Sequence, residues 1–192
     1  MLPRPLLGLF TVLVLALAGC AHSPQAITPQ VKLNTQIAAV GRGQPVGVRV
    51  VDGRSSPVLG TRGGLYPDSS YITVSDKAVL PRLQAEVEAG VRLLGFTPTQ
   101  GVSVPQITFT LVELTYQSPK ELYVTQANLK AVLRVDVQNS QRRYSGRYSA
   151  SLNQRFGSAP NQATNTKLIS EVLSDALNRA FKDPTLGELL AQ

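Results

Sequence analysis

Cysteine, histidine and tryptophan are almost missing from this 192-residue chain, which has one Cys, one His and no Trp. A single Cys leaves no internal disulfide to form. One Cys with one His cannot supply the four protein ligands of a structural zinc site. No metal and no cofactor is therefore expected. His22 stands two residues after Cys20, in a stretch that reads as a tether, where no rigid neighbour would orient an imidazole for catalysis. Acidic residues are also scarce, 12 against 19 Lys and Arg, for a net charge of +7. There is no Gly-x-x-x-x-Gly-Lys phosphate loop. Ser75-Asp76-Lys77 and Ser118-Pro119-Lys120 lack the Ser-x-x-Lys spacing of a serine nucleophile with its lysine. Hydrophobic residues at 43% are enough for a core, so wholesale disorder is excluded.

What the chain does have begins at its first residues. Arg4 gives a short positive region, and Leu6 to Gly19 is an uncharged, mostly apolar run. A spanning helix needs about 20 apolar residues, so this run reads as the core of an export signal. It ends in Leu17-Ala18-Gly19-Cys20, which resembles the lipobox of bacterial lipoproteins. Residues 1–19 are thus expected to be a signal peptide and Cys20 the lipidation site. Several acyl chains on one Cys give stable anchoring, which a single chain does not. Ala21 follows Cys20, and by resemblance to known lipoproteins the absence of Asp there implies outer-membrane delivery, with the domain in the periplasm.

Residues 20–45 contain Pro24, Pro29 and Pro45 and read as the lipidated Cys and a tether, its later part laid along the domain through Val31, Leu33 and Ile37. Residues 46–192 are expected to form one α+β domain. Val46 to Asp52 alternates like a strand, and Val58 to Thr61 and Tyr71 to Val74 are shorter candidates. Val79, Leu83, Val87 and Val91 recur at helical spacing, predicting a helix over 77–94, capped at Ser75-Asp76 and stopped by Gly95. Ile107, Phe109 and Leu111 alternate, then the apolar phase moves to Val112, Leu114 and Tyr116, which predicts a bulge. Leu129 to Val137 and Tyr144 to Phe156 each carry a period-two face, with a hairpin tip at Asn139-Ser140. A second helix over 165–181 and a short tail begun by Asp183-Pro184 complete the chain. The architecture this predicts is an antiparallel sheet of about four to five strands with two long helices packed on one face.

That arrangement leaves the other sheet face to solvent. If Leu129, Leu133 and Tyr148 point inward, then Lys130, Arg134, Arg143, Arg147 and Arg155 share the open face. Such a stripe either solvates the sheet and guards it against edge pairing, or receives an anionic partner, since Arg matches planar carboxylates and phosphates. Arg42, Arg49, Arg54 and Arg62 would add charge near the first strand. The candidates are an envelope protein, peptidoglycan or lipopolysaccharide. The export signal argues against nucleic acid.

The lipobox, the tether, the strand end Val50-Val51-Asp52-Gly53-Arg54 and the element order together resemble the YajG family of outer-membrane lipoproteins. The resemblance spans nearly the whole chain after Cys20. It implies a location and a fold and carries over no catalytic residue.

An enzymatic reading rests on carboxylates alone. Asp52, with Arg54, ends the first strand at a glycine-rich loop, and pairs either with Arg54 in a turn or with a ligand. Glu86, Glu88, Glu171 and Asp175 read as solvated helix surface. The expectation is a non-catalytic binding or accessory module, and the alternative is a carboxylate-dependent hydrolase of an envelope polymer. The edge of the first strand is expected to be free to accept another strand.

Overall fold

The structure, a computed structural model, describes residues 23–62, 69–119 and 125–192. The signal region, Cys20, His22 and Lys120 lie outside the described residues.

The elements in chain order are β1 (Gln25–Ala26), β2 (Pro45–Asp52), β3 (Val58–Thr61), β4 (Tyr71–Thr73), α1 (Asp76–Leu93), β5 (Thr97–Thr99), β6 (Gln106–Gln117), β7 (Thr125–Gln138), β8 (Arg143–Phe156), α2 (Gln162–Phe181) and α3 (Pro184–Leu190). They form a five-stranded sheet in the order β5-β2-β6-β7-β8 and a small sheet in the order β1-β4-β3. The α+β class holds, with helices against one face of the large sheet.

The sheet is mixed, not antiparallel. β2 runs parallel to both β5 and β6, pairing Val48 with Ile107 and Val50 with Phe109. The reason is connectivity. Between β2 and β6 the chain makes the small sheet and α1, and a crossover of that length returns it to the end from which β2 started. β2 is paired by β6 along Gly47–Asp52 and by β5 at Pro45–Gly47 only, and the long edge strand of the sheet is β8.

The expected tether is also much shorter. From Gln25 the chain belongs to the domain: β1 pairs with β4, and Ile27 and Val31 are buried in the core. The backbone N–H groups of Gln30, Lys32 and Asn34 donate to Ser170 Oγ, Ser174 Oγ and Asn178 Oδ1, and that of Leu33 to Glu86 Oε2. Ser170, Ser174 and Asn178 recur every fourth residue, so they line one face of α2 and satisfy an extended segment that has no strand partner there. Glu86 is thereby half-buried and structural. The boundary expected at residue 46 moves about twenty residues toward the N-terminus.

Local signals place the helices. Ser75 caps α1, its Oγ accepting from Ala78 N at 3.2 Å, and Gly95 follows the helix at φ +90, a conformation that suits glycine. Pro81 stands inside α1, on an exposed side. Asn161 caps α2, which starts at Gln162, three residues before the expected start. Asp183 caps α3 with Pro184 at its first turn, as read from the sequence. The phase change in β6 is a bulge: Leu111 pairs with Leu133 but Glu113 with Val132, leaving Val112 as the extra residue.

The core lies between the large sheet and the helices. Phe109, Leu111, Leu133 and Val135 from the sheet meet Leu173, Leu177 and Phe181 from α2, all at most 3% exposed. The Phe109 and Phe181 rings stack at 5.4 Å. Gly90 of α1 gives room for the Phe181 ring, which a Cβ there would approach to 2.3 Å.

Candidate binding surface

The open face of the large sheet is built by register. β7 and β8 pair without interruption from Thr125↔Phe156 to Gln138↔Arg143, and the tip closes on Asn139, whose Oδ1 accepts from Gln141 N and Arg142 N. Residues directly opposite each other share a face. One row therefore runs Gln117, Asn128, Asn153; the next Thr115, Lys130, Ser151; further along come Thr110, Arg134, Arg147, and finally Gln106, Gln138, Arg143. Arg155 lies opposite Gln126 and Arg49 of β2 opposite Thr108.

The five basic residues expected on this face are all there, and all are exposed. They are not equivalent. Lys130 Nζ meets Glu113 Oε2 at 2.9 Å, and Arg134 Nε meets Asp136 Oδ2 at 3.0 Å. Arg143, Arg147 and Arg155 have no ion-pair partner among the described residues. Arg134 and Arg147 stand directly opposite each other, a like-charge pair that disfavours the bare sheet. A depression of about 410 Å³ lies on the same face, lined by Glu113, Thr115, Gln117, Lys130, Ser151 and Asn153 among others. Asn128 Oδ1 there accepts from Asn153 Nδ2 at 2.6 Å and from Gln126 Nε2 at 2.9 Å. Period-two alternation gave these polar residues their face. Their register needed the hairpin.

Asp52 and Arg54 resolve to the pairing alternative. Arg54 Nε and Nη2 bind the two Asp52 oxygens at 2.9 and 2.7 Å, and Nη2 also reaches the Val74 carbonyl at 2.9 Å. The Arg54 side chain is 4% exposed. Burial would raise the Asp52 pKa, but the Arg54 hydrogen bonds and charge outweigh it and hold the carboxyl below its ordinary value. This clamp ties the end of β2 to the chain leaving β4. Arg54 thus adds nothing to the surface charge. Nor does Arg62, which is buried beside Gln25 and Asn165 and donates to the Pro160 carbonyl at 3.4 Å. Arg42 and Arg49 do remain exposed.

A second carboxylate cluster was not anticipated. Asp183 Oδ2 accepts from Tyr144 Oη at 2.9 Å and from Tyr148 Oη at 2.5 Å, while Oδ1 caps α3. Burial, then the hydrogen bond to Asp183, raises the Tyr148 pKa. Burial opposes ionisation of Asp183, and the hydrogen bonds from Tyr148, Thr185 and Tyr144 more than offset it, lowering its pKa. The two tyrosines belong to the period-two face of β8, and the Asp183 cap was legible, but their meeting is tertiary. The cluster joins β8 to α3 and offers no second carboxylate at catalytic distance. Among the described residues, no three His, Cys, Asp or Glu side chains are grouped to hold a metal ion.

Among solved structures, the chain resembles a Xanthomonas campestris protein of the DUF330 family at 14% identity and TM-score 0.47, covering 85% of this chain and 95% of that one. It also resembles a protein from Helicobacter pylori described as a homolog of a neuraminyllactose-binding hemagglutinin, at 10% identity and TM-score 0.43, covering 80% and 88%. No functional step is taken from likenesses this distant. No curated protein matches the chain. No helix among the described residues is long and apolar enough to cross a membrane. A family model described as an uncharacterized lipoprotein matches residues 29–191, nearly the whole folded domain, and the chain belongs to that lipoprotein family.

Proposed function

We propose that this lipoprotein is a non-catalytic binding module, anchored through Cys20 in the outer membrane and facing the periplasm, whose open sheet face captures an anionic component of the envelope. The observation that carries the reading is the arginine array: Arg134 set directly opposite Arg147, with Arg143 and Arg155 free of acidic partners. Holding like charges side by side on adjacent strands is unfavourable, and a bound carboxylate or phosphate relieves it. Arg presents a planar fork to such groups, which suits capture better than a Lys array would. The Asp52–Arg54 clamp supports the YajG-like assignment, because it gives the strand end Val50 to Arg54 a structural purpose. Engagement of both Asp52 oxygens by Arg54 speaks against Asp52 as a hydrolytic carboxylate.

The test is a triple substitution of Arg143, Arg147 and Arg155 by Ser in the lipidated protein. Capture of envelope material by crosslinking in cells is expected to fall at least tenfold with the thermal melt unchanged. Unchanged capture would reduce the array to a solubility device. The hydrolase reading makes the opposite demand: Asp52→Asn must abolish a measurable cleavage of isolated peptidoglycan by the unmodified protein.

A further inference from the structure

The long edge of the large sheet is β8, and no strand pairs with its outer side among the described residues. It has 14 residues, which is roughly 45 Å at about 3.3 Å each. Edges of this kind are commonly blunted by proline, bulges, shortness or charged side chains, and of these β8 has only the charges, its three Arg. β8 contains no proline, its pairing with β7 shows no bulge, and it is among the longest strands of the fold.

The direction of its free backbone groups follows from the hairpin. Asn139 N donates to the Arg142 carbonyl at 3.0 Å, so residues 139 and 142 form a hydrogen-bonded pair. Pairs alternate in an antiparallel ladder, so Gln138↔Arg143 is a non-hydrogen-bonded pair, and so is every second pair after it. The backbone N–H and C=O of Arg143, Ser145, Arg147, Ser149, Ser151, Asn153 and Arg155 therefore point away from β7. These same residues put their side chains on the open face. The arginine array and the unsatisfied backbone thus sit on one set of residues. On the other face, Tyr144, Tyr148, Leu152 and Phe156 are only half-buried, whereas Leu129, Leu133, Val135 and Val137 of β7 are at most 2% exposed.

We infer that β8 is a docking edge for an extended acidic segment of a partner protein, which adds as a sixth strand and sets its carboxylates against Arg143, Arg147 and Arg155. The inference rests on the reading of the open face as an anion-capturing surface and assigns its partner. Charge selects the occupant. β8 has three Arg and no acid, so a second copy pairing through the same edge would bring two cationic strands together. A strand with Asp or Glu at alternate positions supplies the missing charge, and its other side chains complete the apolar layer above Tyr148 and Leu152.

The experiment places a photo-crosslinking residue at Ser145 of the full lipidated chain in cells, with a probe at Lys167 on α2 as control, and sequences the attached material. The expected product is one protein segment carrying alternate acidic residues. Ser149→Pro, which removes an outward N–H and keeps every Arg, is expected to lower the yield at least tenfold. Ser151→Pro replaces it should Ser149→Pro lose the native circular dichroism spectrum. Attachment to glycan or lipid, attachment to β8 of a second copy, or a yield unaffected by the proline overturns the edge proposal. If the yield survives the proline but is lost with the three Arg→Ser changes, the capturing face stands and the edge does not. No attachment above the Lys167 control overturns both.

Discussion

The two faces of the large sheet are made from the same strands, yet they answer to different physics. On the covered face Ile107, Phe109, Leu133 and Val135 are wholly buried. On the open face the alternate residues of the same strands are mostly polar or charged, Thr, Ser, Asn, Gln, Lys and Arg with Glu113 and Asp136 among them. The covered face is where stability resides, because apolar burial contributes about 25 cal/mol per Å². The open face contributes little to folding: its two ion pairs, Lys130–Glu113 and Arg134–Asp136, are exposed, and Arg147 stands opposite Arg134.

The comparison can be broken most directly at Phe109. Phe109→Ala should cost about 3–5 kcal/mol through the cavity left beside Phe181, and Arg147→Ser on the reverse face no more than about 0.5 kcal/mol. Urea denaturation of both variants measures this, and similar costs would collapse the distinction between faces.

Asp52→Asn should follow at about 3 kcal/mol, because it leaves the buried Arg54 charge uncompensated. The same urea midpoints would read it. Next comes Gly60→Ala, where φ is +151 and a Cβ would lie 1.8 Å from the Tyr116 carbonyl oxygen. We expect about 2 kcal/mol from strain of this kind, with β3 shifted away from β6. Loss of amide exchange protection in β3 and β4 would locate the damage.

Acid should separate the clamps from the open face. The carboxyls of Asp52 and Asp183 are both held below their ordinary value of 3.8 in the folded protein. Their contribution is complete above 3.8 and is lost as pH falls through the lower folded values. Urea midpoints should therefore fall below that pH, and Asp52→Asn and Asp183→Asn should each flatten the decline. The smallest effect is expected at Lys130→Gln, which breaks an exposed pair with Glu113 and should cost less than about 1 kcal/mol. A larger loss would mean that the open face is structural after all.

Much of this was readable before any coordinates. Period-two runs located β7 and β8, and the change of phase at Leu111 and Val112 announced the bulge, because a strand can present an apolar residue to only one side at a time. Helical spacing and caps located α1 and α3, while α2 began three residues early because Asn161 caps it. Val31, Leu33 and Ile37 announced that the segment before residue 45 lies along the domain, but not what satisfies its backbone. Its backbone is satisfied by Ser170, Ser174, Asn178 and Glu86, polar residues whose spacing on their own helices looks like solvated surface.

By itself, then, the sequence determined the α+β class and the membership of five basic residues in one sheet face, and it set the expectation of a lipobox at Cys20. These are local properties, set by residue chemistry and by periods of two and 3.6. Only the tertiary structure decided that β2 runs parallel to β6, that β8 is the long edge strand, that Asp52 is paired with Arg54, and that Arg134 faces Arg147. Those depend on which distant segments pair and in what register, and no local pattern along the chain encodes the partner of a strand.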